Sequence, residues 1–229
     1  MKAFSKYLQK SEDTLSIIEG VKSGLQEQLV AGLSNSARSL FAAALLEEVP
    51  KKTIIITHQL IHAQQLYDDL SEFFHVSNVF LYPVNELIAS EMAIASPELR
   101  TNRIKALTDW LKTDHGILIA PVAALKRVLP PSSYWEKYEL DFTEGGQVPL
   151  ETYMTQLVDM GYERVDMVTT PGEFSVRGGI IDIYSAIKQH PVRIELFDDE
   201  VDSIRYFDAD TQRSLERINQ VSISPATEL

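Results

Sequence analysis

The stretch from Tyr162 to Phe207, YERVDMVTTPGEFSVRGGIIDIYSAIKQHPVRIELFDDEVDSIRYF, restricts this chain more than any other. Apolar and polar residues alternate in it at period two over three separate runs. Turn residues separate the runs at Pro171-Gly172, Gly178-Gly179 and His190-Pro191. Residues two apart share one face of a strand, so the pattern predicts a strand meander with one face on a core and the other in solvent. Arg164, Arg177, Arg193 and Arg205 all fall within it, accompanied by Tyr162, Phe174 and Tyr184. Two readings of that face stand open. Arginines and aromatic residues are the types enriched as interface anchors, through buried area and forked hydrogen bonds to carboxylates. The same arginines can equally pair with neighbouring Asp and Glu on a solvated sheet.

The charge balance makes the arginines conspicuous. The chain of 229 residues carries a net charge of −12, and its second half is the more acidic. Duplex binding needs clustered Lys and Arg, so the chain as a whole does not read as a DNA-binding protein. Hydrophobic residues at 45% and charged residues at 24% are a normal globular balance, with room for one large domain or two. The absence of cysteine excludes disulfides, thiolate metal sites and a cysteine nucleophile, and it fits a reducing cytosol. No apolar segment resembles a signal peptide or a membrane span, so a cytoplasmic protein without membrane contact is expected.

Upstream of the meander the rhythm is different. Residues 11–30 show helix-like spacing broken by Gly20 and Gly24. Leu29 to Leu33 then predicts a short strand running into a glycine turn, and Ser36 to Glu48 a helix. Thr53 to Thr57 (TIIIT) is β-branched throughout, which predicts a central parallel strand covered on both faces. A helix over 58–74 and a strand over 79–82 follow. Ser96-Pro97-Glu98 opens the next helix, with Ser as cap and Pro at its first position. GILIA at 116–120 is a buried strand, and Val122 to Val128 starts another helix. Strands alternating with helices give an α/β domain with a parallel sheet, assigned to 1–128. Beyond Leu129-Pro130-Pro131 a short strand, an amphipathic helix over 149–160 and the meander form an α+β domain with an antiparallel sheet, assigned to 129–211. Residues 212–229 read as a segment returning towards the first domain.

Candidate chemistry is sparse. G-L-S-N-S-A-R-S at 32–39 keeps the frame of a phosphate-binding loop at Gly32 and Ser39. Ala37 stands where the second glycine would let backbone amides close on phosphate, and Arg38 replaces the lysine. With no acidic Mg²⁺-binding strand end, the loop is not expected to hydrolyse ATP. Residual nucleotide binding by 1–125 remains the enzyme-class alternative. His58 and His62 lie four apart with His75 nearby, but neither an intervening Glu nor a third ligand makes a metal site. Asp198-Asp199-Glu200-x-Asp202 lacks the ligand spacing of a Ca²⁺ loop and reads as a solvated hairpin turn. No cofactor is expected.

GEFSVRGGIIDIYSA followed by RIELFDDEVDSIRYFDADTQRSL closely resembles the N-terminal part of the bacterial transcription-repair coupling factors, Mfd. The order of segments is also similar to UvrB: the glycine loop, IIITHQLIHAQQLYDDLSEFF at 54–74, GILIAPVAAL at 116–125, and Y-x-R…G-x-F-x-V-R-G at 162–178. UvrB-like proteins have a complete phosphate loop and a tyrosine-rich insertion that clamps damaged DNA. Here Ala37 and Arg38 break the loop, and LYPVNELIASEMAIA has Tyr82 as its sole aromatic.

The resemblance implies a RecA-like first domain with a degenerate loop (Gly32, Ala37, Arg38, Ser39). It also implies a second domain that binds UvrA and so recruits nucleotide excision repair to a stalled RNA polymerase. RNA polymerase and DNA would be contacted only through domains this chain lacks, and the docking face would be masked by contacts with the rest of the longer protein. By motif, Arg164 (of Y-x-R) and Arg177 (of V-R-G) match the family's UvrA-contact positions. Ser175 replaces a further UvrB-type arginine. Phe174, Tyr184 and Arg193 are nominated by neighbourhood. A UvrB-like nucleotide-binding or ATPase fragment acting on DNA is the alternative.

Overall fold

The computed structural model describes residues 6–34, 36–84, 97–126 and 128–228. The Ser96 cap and most of the LYPVNELIASEMAIA stretch lie outside them. The described residues group into two compact units, one drawn from 1–89 and 109–126, the other from 90–108 and 127–229.

The first unit is α/β. Helices α1 (Glu12–Lys22) and α2 (Ser36–Glu48) precede β1 (Thr53–Thr57), α3 (Leu60–Ser71) and β2 (Val79–Leu81). The boundary between units passes through α4 (Pro97–Lys112), which leads to β3 (Ile117–Pro121) and a 3-10 turn over Val122–Lys126. Strand β3 lies between β1 and β2, all parallel, and is buried along its whole length. Leu46, Ala63, Leu70, Phe73, Val79, Ile117 and Ile119 pack its core.

Three expectations need correction here. TIIIT is an edge strand rather than a central one: Ile54 and Ile56 remain 51% and 43% exposed. Leu29 to Leu33 forms no strand, and Leu29 is 90% exposed. An apolar run becomes a strand only beside another strand, and the outer edge of β1 has none among the described residues. The helix expected from Val122 is a single 3-10 turn.

The second unit is α+β. It holds α5 (Ser132–Lys137), β4 (Leu140–Thr143), α6 (Leu150–Asp159), β5 (Glu163–Arg164), β6 (Glu173–Arg177) and β7 (Ile180–Ile183). β8 (Val192–Phe197), β9 (Glu200–Phe207), β10 (Ser214–Ile218) and β11 (Gln220–Ile223) complete it. Six strands form one sheet in the order β10-β9-β8-β7-β6-β5, antiparallel except where β5 meets β6. β11 pairs with β4 in a separate ribbon, so residues 214–223 belong to the sheets of this unit. Phe174, Ile181, Ile183, Ile194 and Ile204 face a core filled by Phe142, Leu157 and Met160.

The meander therefore forms, but its second face is not solvated throughout. Ser175 and Asp182 on that face are each 1% exposed. The segment after β5 folds over them: the Ser175 hydroxyl donates to the Asp166 carbonyl at 3.4 Å, and Val168 is fully buried. Gln212 ties the cover down, donating to the Val168 carbonyl at 3.1 Å.

Candidate functional site

Register places Ser175, Asp182, Arg193, Arg205 and Arg217 in one row across β6 to β10. Three neighbouring arginines in such a row repel one another unless carboxylates intervene. Asp182 supplies the central one. Arg193 Nε and an Nη donate to its two oxygens at 2.7 and 2.8 Å. The Arg193 guanidinium also donates to Gln212 Oε1 at 3.2 Å and lies over the Phe207 ring, 4.5 Å from its centroid. Hydrogen bonds to Asp182 push its high pKa further up. Glu195 takes Arg205, and Glu144 takes Arg217 at 3.0 Å.

Arg177 reaches the same Asp182, donating one hydrogen bond of 2.8 Å, with its side chain 50% exposed. Its fork is only partly used, because Arg193 already holds both carboxylate oxygens. Arg164 is exposed and has no ion-pair or hydrogen-bond partner among the described residues. It follows Tyr162, which is buried with its hydroxyl donating to the Ser224 carbonyl at 2.7 Å. That anchor fixes the two-residue strand from which Arg164 projects. Arg164 and Arg177 line one open depression together with Val165, Asp166, Met167 and Val176. Two long cations, one unpaired and one half-paired, thus share a surface with an exposed methionine.

The other nominated residues are placed differently. Phe174 is 0% exposed and belongs to the core, as does Tyr162, so neither offers a ring to a partner. The reason is parity: Phe174 pairs with Ile183, whereas Ser175 pairs with Asp182 on the opposite face. Arg193 is committed to Asp182. Tyr184 is half-buried and donates to the Gln189 carbonyl at 2.9 Å; burial, then Asp210 and Asp208, push its phenol pKa up. Asp182 was missed by the sequence reading, although a lone carboxylate inside IIDI was the available signal. The buried pair of Arg103 with Glu228, bidentate at 2.7 and 2.9 Å, carried no signal across 125 residues.

At the glycine loop, Gly32 has a φ of +85° and is exposed. Ala37 and Arg38 lie in the first turn of α2, and Arg38 Nε donates back to the Leu33 carbonyl at 3.2 Å. Ser39 is buried, with its hydroxyl bonded to Asp69 on α3. Ser39 is therefore turned to an internal partner, while the exposed Arg38 bonds back to its own loop. His58 and His62 are exposed beside this loop, and His75 Nδ1 lies 2.8 Å from Ser77 Oγ. Among the described residues no three His, Asp or Glu side chains converge as metal ligands, and no helix is long and apolar enough to cross a membrane. The acidic run forms the β8–β9 hairpin turn, with Asp198 at a φ of 54°.

A family model described as the UvrB interaction domain matches residues 140–229, which contain the whole six-stranded sheet and its arginine row. Over 223 residues, 97% of its length, the chain is 50% identical to the transcription-repair-coupling factor of Bacillus subtilis (strain 168) and covers 19% of that protein. It is 41% identical over 205 residues to the factor of Staphylococcus haemolyticus (strain JCSC1435), covering 90% of this chain and 18% of that one. Against the factor of Staphylococcus aureus (strain MRSA252) identity is 38% over the same length and the same shares. The chain thus spans about a fifth of the length of the curated relatives it matches. It belongs to the transcription-repair-coupling factor family, as a UvrB-homologous module that carries the UvrB interaction domain.

Proposed function

We propose that this module is a non-catalytic adaptor that docks UvrA and thereby recruits nucleotide excision repair to a stalled RNA polymerase. The observation that carries the reading is the depression shared by Arg164 and Arg177, in which guanidinium donors remain available. Each would fork onto acidic groups of UvrA, with Met167 and Val176 excluding water around them. The domain assigned to 129–211 does the docking. The first unit serves as its RecA-like support, with a degenerate loop and no cofactor. RNA polymerase and DNA are contacted by other parts of the longer protein, which acts in the cytoplasm as an ATP-dependent translocase. The inward bonds of Arg38 and Ser39 argue against the nucleotide-binding alternative.

Titration of the module with UvrA tests this. Arg164→Ala and Arg177→Ala are each expected to weaken binding at least about tenfold. Wild-type affinity in both variants removes the assignment, and no binding by the unaltered module removes the adaptor function.

A further inference from the structure

The surface that carries Arg177 continues onto the tip of the β8–β9 hairpin. Arg177 is in register with Ile180, and Ile180 with Glu195. The register shift between Glu195 and Leu196 falls on β9, where Asp202 is skipped; Leu196 packs against the core, so Glu195 and Phe197 on either side of it share the other face. The turn at Gly178-Gly179 is pressed against this strand: Leu196 N donates to the Gly179 carbonyl at 2.7 Å. A Cβ on Gly179 would lie 2.7 Å from the Leu196 carbonyl oxygen, so only glycine permits the approach. Register thus carries the face of Arg177 across β7 to β8, whose end bears Phe197 at the hairpin tip. Phe197 is 76% exposed, although a tight polar turn needs no aromatic ring there. Asp198, Asp199, Glu200 and Asp202 follow it, and none has an ion-pair partner among the described residues.

We propose that Phe197 is the apolar anchor of the UvrA interface, entering an apolar pocket of that partner whose rim is basic. The proposal rests on the adaptor reading above and supplies what that site lacks. Of the rings nominated there, Phe174 and Tyr162 are in the core and Tyr184 is half-buried with its hydroxyl engaged. An anchor of this type buries a large area with few rotamers to freeze. Cationic Arg164 and Arg177 at one end, and carboxylates beside Phe197 at the other, give a two-signed footprint that admits one docking register.

The test compares variants of the whole module in titrations with UvrA. Phe197→Ala weakens binding about tenfold or more. Phe197→Tyr, which brings a hydroxyl into an apolar pocket, weakens it several-fold, roughly as expected for a buried unpaired hydroxyl. Neither variant shifts the melting temperature, because the ring is exposed. Asp198→Asn with Asp199→Asn keeps a residue tolerant of positive φ at the turn while removing two charges. It slows association and flattens its dependence on salt. Wild-type affinity in both Phe197 variants overturns the anchor while Arg164 and Arg177 can still stand. An unchanged association rate in the Asn double variant overturns the basic rim. Failure of the unaltered module to bind UvrA overturns the adaptor reading and this inference together.

Discussion

Two glycine turns in this protein carry an arginine beside them, and the structure uses them in opposite ways. In the loop over 32–39, the exposed Arg38 donates back to the Leu33 carbonyl within the loop, and the buried Ser39 is bound to Asp69 on α3. At the β6–β7 turn, Arg193 holds both oxygens of Asp182, and Arg177 adds a single bond to one of them with half its side chain in solvent. Arg164 has no such partner among the described residues. The difference lies in prior commitment rather than residue type. An arginine already desolvated against a buried carboxylate stabilises the fold, and extracting it to bind elsewhere would expose that carboxylate's unpaired charge. An arginine still in water keeps its fork for a partner.

Asp182→Asn attacks this division most directly. It leaves the Arg193 guanidinium without a counter-charge and should cost about 3–5 kcal/mol, read as a lower urea midpoint with unchanged slope. An unchanged midpoint would mean that Arg193 is no more committed than Arg177. Next in size come Arg164 and Arg177, the docking residues proposed above, with the affinity losses given there. Arg164→Ala leaves the melting temperature where it was, while Arg177→Ala costs at most about 1 kcal/mol of stability, as for other half-exposed pairs. A large drop in melting temperature for Arg177→Ala would move that residue to the structural side.

A smaller effect is expected at Glu173, which braces the cover over the polar face. Burial pushes its pKa up, but the backbone N–H groups of Thr169 and Thr170, each at 2.8 Å, with their hydroxyls, more than offset this and hold it below the usual glutamate value. The folded state then binds fewer protons than the unfolded one, so the contribution is present above the unfolded-state pKa. It is lost as pH falls through the lower folded-state value. Glu173→Gln should flatten the acid limb of a stability-against-pH curve. The smallest expected effect is none: Ala37→Gly with Arg38→Lys yields no heat with ATP and Mg²⁺ in calorimetry. Ser39 remains bound to Asp69, and among the described residues no strand precedes the loop. Micromolar binding would erase the contrast between the two turns.

Much of the architecture was legible because local pattern and tertiary environment agree. The helix read over Ser36–Glu48 has those bounds, and the alternating meander became the four strands β6 to β9. Errors arose where a neighbour decides. Leu29 to Leu33 has the composition of a strand but nothing to pair with, and TIIIT has the composition of a central strand but an open edge. At the candidate site, Phe174 and Arg177 lie three positions apart and were read together, yet strand parity sends them to opposite faces.

By itself, the sequence determined the α/β and α+β halves, the meander with its turns and the damage to the phosphate loop, whereas the choice of Arg164 and Arg177 rested on the family motifs they match. Those follow from periodicity, from glycine positions and from residue types at fixed spacing, which are properties of neighbours along the chain. Only the tertiary structure decided which arginines are free. That choice depends on Asp182 lying beneath Arg193, and on Gln212 and Val168 closing over the row to exclude water. It also left Phe197 exposed at a hairpin tip, on a strand packed against a turn that only a residue without a side chain can make. Charge pairing and burial are settled between residues far apart in sequence, and no local pattern encodes them.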